Sequence, residues 1–235
     1  MENKKTDLKS EGAARLVAHF NTRAREHQGQ GWSDLWESNE SDLWDRGKPS
    51  PALIGFIESK PDVFRVPEEG EKLRALVPGC GKGYDVAMLA LHGFDVWGLE
   101  LSETGAQVAW KYAVSQLAEP GEVNFGRAGE WPLVEPGNVE IVAGDFFKKE
   151  WEGKCVDEDG VRVGGFDLIY DYTFLCALLP EMRQDWARRM SQLLNPNGVL
   201  ICLEFPLFRD LNELGPPWGL RGVYWDLLAK GELVC

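Results

Sequence analysis

The sequence predicts an α/β protein built on a doubly wound, mostly parallel sheet, and three observations predict it. Short apolar runs alternate with segments of helical period between residues 73 and 205. The first run leads into LVPGCGKGYD, residues 76–85, where glycines stand at 79, 81 and 83. The second run ends on an acid, Glu100. Alternation of this kind argues for βαβ units with helices on both faces of a sheet. Right-handed crossovers then bring the strand ends into one row, outside which such sheets bind ligands.

The elements follow in chain order. Residues 1–10 are charged and read as a disordered tail. From 11 to 28, Ala13, Leu16, Val17, Phe20 and Ala24 recur at the spacing of one helix face. The tryptophan-dense GWSDLWESNESDLWDRGKPSP comes next and leads to a short helix near 51–59, with Pro51 in its first turn. Residues 11–60 therefore read as an N-terminal helical arm and 61–235 as the core. In the core, Leu73–Val77 is a strand, 84–92 a helix stopped at Gly93, and Asp95–Leu101 a strand. Ser102 caps a helix whose apolar face is Ala106, Ala109, Trp110, Ala113 and Leu117. Val139–Ala143, Phe166–Tyr172 and Val199–Phe205 are further strands. Pro180 opens a helix closed by NPNG, and 221–229 forms a last helix. Two stretches near 122–138 and 151–165 read as insertions, the second turning on DEDG as a β-hairpin.

Composition removes several classes of function. The net charge is −13, with no basic stripe, so a nucleic-acid partner is not expected. The five cysteines are an odd number with no C-x-x-C pair, which reads as reduced thiols rather than a disulfide framework or a zinc site. No apolar run approaches the roughly 18 residues of a membrane span, and the polar N-terminus is no signal peptide. The expectation is a cytoplasmic protein with no membrane partner and no metal.

The glycine loop carries the first functional signal. Bare backbone at a strand end lets a ligand lie against main-chain N–H groups. Glu100, closing the second strand, is placed to accept hydrogen bonds from both ribose hydroxyls of an adenosine. A dinucleotide fingerprint would need its third glycine at 84, where Tyr84 stands, and there is no G-K-[ST] for a phosphate-gripping loop. An adenosyl ligand without pyrophosphate suits the loop better, and S-adenosylmethionine is one. Gly144-Asp145-Phe146-Phe147 follows the third strand, where an acid and an aromatic can meet an adenine ring. An ordinary turn aspartate beside core phenylalanines is the competing account.

Taken together, the tryptophan arm, LVPGCGKGYDV, GDFF and FDLIYDYTFLCALLPEMRQDWARRMSQLLNPNG resemble the thiol and halide/thiocyanate methyltransferase branch of the thiopurine S-methyltransferase family, over roughly residues 30–220. The resemblance implies a class I S-adenosylmethionine-dependent methyltransferase with a Rossmann-like core. The arm would then serve as a cofactor lid. It implies cofactor contacts at Trp32, Trp36, Trp44, Gly79, Gly81, Glu100, Asp145, Phe146 and Tyr172. The substrate implied is a small thiol, a halide or a pseudohalide, with S-adenosylhomocysteine as product and a monomer as the working unit. Thiopurine-type members carry an arginine near Tyr172; its absence favours the thiol/halide branch. Relatives continue past the last helix into two antiparallel strands, so those C-terminal strands are expected to be missing from this chain.

The chemistry implied is an in-line displacement, with the nucleophile about 3 Å from the methyl and opposite the sulfur. A thiol near pKa 8.5 supplies thiolate without a strong base, and an anion needs none. Accordingly His19, His27 and His92 read as structural and Cys176 as a core thiol. Tyr172 is the candidate polar group near the reacting centre. Trp32 and Trp36, four residues apart, share a helix face and can offer a cation–π wall to a sulfonium, about 0.5–2 kcal/mol per contact. Packing of those rings onto their own segment is the alternative. Two other functions stay open: a catalytically silent S-adenosylmethionine binder and, disfavoured by Tyr84, an NAD-dependent oxidoreductase.

Overall fold

The computed structural model of the chain describes residues 2–64, 71–126, 134–157 and 159–229, with side chains from residue 11 onward. Two compact units form. One gathers Met1–Asp45, Tyr172–Arg188 and Cys202–Cys235; the other gathers Arg46–Asp171 and Arg189–Ile201.

The second unit contains most of the sheet. Its strands are β1 (Arg74–Pro78), β2 (Asp95–Glu100), β3 (Val139–Ala143), β4 (Phe166–Tyr172) and β5 (Leu194–Leu203), the last two running on into the first unit. Their order across the sheet is β3-β2-β1-β4-β5. β1 pairs in parallel with β2 and with β4, and β2 pairs in parallel with β3. The chain thus builds outward from β1 to β3, then crosses back to start β4 on the other side of β1. That reversal makes the C-terminal ends of β1 and β4 the switch point, the crevice where open α/β sheets take ligands.

Helices α3 (Pro51–Ser59), α4 (Tyr84–Leu91) and α5 (Glu103–Ala118) belong to the same unit. Each start follows from its sequence. Ser50 caps α3, its Oγ accepting the Leu53 N–H at 3.4 Å, with Pro51 in the first turn. Ser102 caps α5, its Oγ accepting the Gly105 N–H at 3.2 Å. Ala75, Leu76, Leu168 and Ile169 are fully buried with all of Val86–Ala90. Apolar runs without alternation are what a parallel sheet covered on both faces requires. The hairpin expected near 151–165 is a single antiparallel bridge between Val156 and Arg162. Residues 127–133, within the first expected insertion, and 230–235, beyond the last helix, lie outside the described residues.

The first unit opens with α1 (Glu2–Asn21) and α2 (Gln28–Glu37). The helix expected over 11–28 therefore ends at Asn21, and a 3₁₀ turn, Arg25–His27, bends the chain into α2. Leu16, Phe20 and Leu35 form its buried apolar cluster, with Trp32, Leu43 and Trp44 against it. Parts of α6 (Arg183–Leu193) and all of α7 (Val223–Leu228) complete the unit, where Trp186 and Tyr224 meet edge to face at 5.6 Å.

Candidate functional site

The loop from β1 into α4 is the focus of the site. Gly79, Gly81 and Gly83 all take left-handed backbone, at φ 60°, 58° and 81°. An L side chain there costs about 1–2 kcal/mol, which is why the sequence alternates glycine through the turn. Gly83 and Gly81 serve different purposes. A Cβ at Gly83 would meet the Ala109 carbonyl oxygen at 2.9 Å and its Cα at 3.1 Å, so this glycine lets α4 start hard against α5. A Cβ at Gly81 would meet nothing within 4 Å, so that face of the loop is open.

Glu100 fixes the open face. It is buried at the end of β2, and its Oε2 accepts the Gly81 N–H at 3.1 Å. Its Oε1 accepts the Leu101 N–H at 2.8 Å and the Ser102 N–H at 3.4 Å. The Cys80 N–H reaches the Leu99 carbonyl at 3.1 Å, a second tie between loop and strand. The third strand end joins them through main chain: the Gly144 N–H donates to the Glu100 carbonyl at 2.9 Å. Three sequence-predicted positions, Gly79, Gly81 and Glu100, thus form one constellation, with Asp145 and Phe146 immediately beyond Gly144.

Asp145 and Phe146 behave differently from each other. Asp145 is half-buried, its Oδ1 accepting the Phe147 N–H at 3.0 Å in a local turn, with Lys148 Nζ 3.8 Å away. Phe146 is buried, edge to face on Phe147 at 5.2 Å and under the Arg189 guanidinium at 5.8 Å. Arg189 Nε donates to the Phe146 carbonyl at 3.1 Å, and its NH2 pairs with Glu152 at 2.8 Å, which holds the stretch after β3 in place.

The remaining predicted residues belong to the first unit. Trp44 lies edge-on to both Trp32 (5.2 Å) and Trp36 (5.6 Å), and Trp32 lies 4.5 Å from Phe20. Within their own unit the three tryptophans therefore form an aromatic cluster, with Trp36 buried. Tyr172 ends β4 half-buried, its ring 6.1 Å from Phe205. Thr173 follows at φ 66°, its hydroxyl donating to the Tyr172 carbonyl at 2.5 Å.

Two acids were not picked out from the sequence. Asp85, in the first turn of α4, is half-buried, and its Oδ1 accepts the Ser50 N–H at 2.7 Å. Burial pushes its carboxyl from the usual 3.8 up to about 6, offset only by that hydrogen bond. The clue was present: one charge in the otherwise apolar YDVAMLAL. Asp171, fully buried next to the end of β4, looked like part of an apolar strand. Burial, and after it the charge of Glu100, holds Cys80 well above the ordinary thiol value. Among the described residues no group of His, Cys, Asp and Glu could hold a metal ion, and no helix is long and apolar enough to cross a membrane.

The comparisons with known proteins bear on the whole of this arrangement. The sequence profile described as thiopurine S-methyltransferase matches residues 27–227. A probable thiol methyltransferase 2 of Arabidopsis thaliana is 35% identical over 199 residues, covering 85% of this chain and 71% of that protein. Thiocyanate methyltransferase 1 of the same plant is 35% identical over 188 residues, covering 80% and 66%. A probable thiopurine S-methyltransferase of Yarrowia lipolytica is 28% identical over 212 residues, covering 86% and 88%.

Proposed function

The chain belongs to the thiopurine S-methyltransferase family, and we propose that its acceptor is a small-molecule thiol, with thiocyanate and halide ions as the alternative nucleophiles. It is an S-adenosylmethionine-dependent S-methyltransferase with a mostly parallel α/β core. The names of the two Arabidopsis relatives support the acceptor class. The single observation that supports the site is the glycine loop fixed on the carboxylate at the end of the neighbouring strand.

The residues present suit the cofactor. The open face at Gly81 is a cradle that any side chain would fill, and no phosphate-gripping motif accompanies it. When bound, S-adenosylmethionine supplies an electrophilic methyl group on its sulfonium. Gly79 and Gly81 let that cofactor lie against main chain, and Glu100 holds the loop in shape while offering a carboxylate to the ribose. Asp145 and Phe146 serve the adenine. Trp32, Trp36 and Trp44 of the arm shield the cofactor from water as its lid. Tyr172 positions the acceptor for in-line attack. No protein base is required, because a thiol near its ordinary pKa already offers a useful thiolate fraction at neutral pH. Cys80 is no competing nucleophile, since burial keeps its thiol protonated. A single chain is taken as the working unit, which analytical ultracentrifugation tests.

The decisive experiment incubates the protein with methyl-labelled S-adenosylmethionine and a panel of small thiols, thiocyanate and iodide. Transfer to one or more thiols is expected. Transfer to the anions alone would replace the acceptor class. Donor binding with no transfer to any acceptor would overturn the catalytic reading in favour of a silent binder.

A further inference from the structure

Thr173 stands where β4 leaves the sheet, in a backbone conformation that its side chain disfavours. Among the described residues three non-glycine residues have positive φ: Asn39 at 59°, Thr173 at 66° and Asn197 at 67°. Asparagine tolerates left-handed backbone. A β-branched side chain does not, so Thr173 is an outlier of the kind that persists only where its surroundings force it. Its place is close to the switch point. β4 pairs with β1 so that Ala75 lies opposite Leu168 and Leu76 opposite Ile169. Carried two residues further, that register sets Asp171 level with Pro78, the residue before the first loop glycine. Tyr172 then closes the strand, and Thr173 makes the turn.

The turn is tied on several sides. The Thr173 hydroxyl donates to the Tyr172 carbonyl at 2.5 Å, so the side chain grips the residue it turns away from. The Thr173 carbonyl accepts the Cys176 thiol at 3.4 Å. Cys176 is buried in the 3₁₀ turn Leu175–Ala177, and its own carbonyl accepts the Trp218 N–H at 2.8 Å. Beside Trp218, the Gly219 carbonyl accepts Arg183 NH2 at 3.0 Å. A glycine would take this φ without strain, but it would bring no hydroxyl and would leave the turn free to open. The sequence places threonine there instead.

We infer that Thr173 is a positioning residue for methyl transfer: it locks the turn after β4 and so fixes where Tyr172 meets the acceptor. That role rests on the reading that gives Tyr172 its task. In-line transfer tolerates little misplacement, since a shift of about 1 Å can cost ~100-fold in rate. The strained backbone and the hydroxyl act together here. Relaxing the φ would break the bond to the Tyr172 carbonyl, so the turn has one arrangement rather than several.

Thr173→Gly, Thr173→Ala and Thr173→Asn test this in the intact protein. Each is measured by urea unfolding, by calorimetry with S-adenosylhomocysteine, and by methyl transfer to the acceptor that the wild type uses. Left-handed backbone reverses the usual stability order, so Thr173→Gly should unfold at a higher urea midpoint than Thr173→Ala. The rates should run the other way. The kcat of Thr173→Gly falls at least about tenfold below wild type and below that of Thr173→Ala. Asparagine accepts the conformation and can bond to its own backbone, so Thr173→Asn keeps kcat within about threefold of wild type. The S-adenosylhomocysteine Kd stays within about twofold in all three, because the glycine loop is unaltered. Wild-type kcat in Thr173→Gly overturns the inference while leaving the methyltransferase reading standing. So does a kcat that falls in step with the urea midpoint, or with ligand affinity, across the variants. A wild type that transfers methyl to no acceptor overturns the catalytic reading and this inference with it.

Discussion

Replacing Gly81 and Gly83 separately by alanine should divide function from stability within one five-residue turn. Both positions are left-handed, at φ 58° and 81°, so each alanine carries about 1–2 kcal/mol of backbone strain. Gly83→Ala adds a steric cost. Its Cβ would sit 2.9 Å from the Ala109 carbonyl oxygen and 3.1 Å from Ala109 Cα. Those atoms are backbone of α5 and cannot swing away, so α4 and α5 must separate, at about 1–3 kcal/mol more. The sum is about 2–5 kcal/mol for Gly83→Ala and about 1–2 kcal/mol for Gly81→Ala. Urea denaturation of both variants measures this directly. Binding should rank them the other way: the Gly81→Ala methyl projects into the open face, and its S-adenosylhomocysteine Kd should rise at least about tenfold. Two results would refute the reasoning: equal destabilisation by both variants, or wild-type affinity in Gly81→Ala.

Asp85→Asn should stabilise the protein at neutral pH. The folded carboxyl, at about 6, lies above its usual 3.8, so the folded state binds more protons between those values and loses stability as pH rises through that window. Removing the ionisation should add on the order of 2–3 kcal/mol at pH 7 and almost nothing at pH 3.5, read as the difference in urea midpoints at the two pH values. In native protein at pH 8, Cys80 and Cys155 should react with a thiol reagent far more slowly than after denaturation, because burial raises the first and carries the second up to about 12. Trp36→Ala should cost about 3–5 kcal/mol through loss of a buried ring against Trp44, seen as a fall in Tm.

Much of the sheet was legible because its signal is local. Leu73–Val77 and Asp95–Leu101 are short apolar runs between glycine or serine breaks, and the strands fall within a residue of them. Ser102 and Pro51 announce helix starts through their own chemistry, and both helices begin there. The long helix expected over 11–28 was misread because its apolar spacing continues to Ala24, while the chain turns at Arg25–His27 so that Trp32 can return onto Phe20. Periodicity describes a face and says nothing about where the chain doubles back. Within the site, the glycines and Glu100 were legible as residue types at a strand end. Their bond to each other was not, because a carboxylate 19 residues from Gly81 reaches it only once β1 and β2 lie side by side. Asp85 and Asp171 escaped notice because their burial is a property of packing that no spacing records.

The most direct test of the central claim is a crystal structure of the protein grown with saturating S-adenosylhomocysteine. The account predicts the ligand against the main chain of residues 79–81, with its ribose hydroxyls on the Glu100 carboxylate. A bare loop at saturating ligand, or a ligand bound away from Glu100, would contradict it.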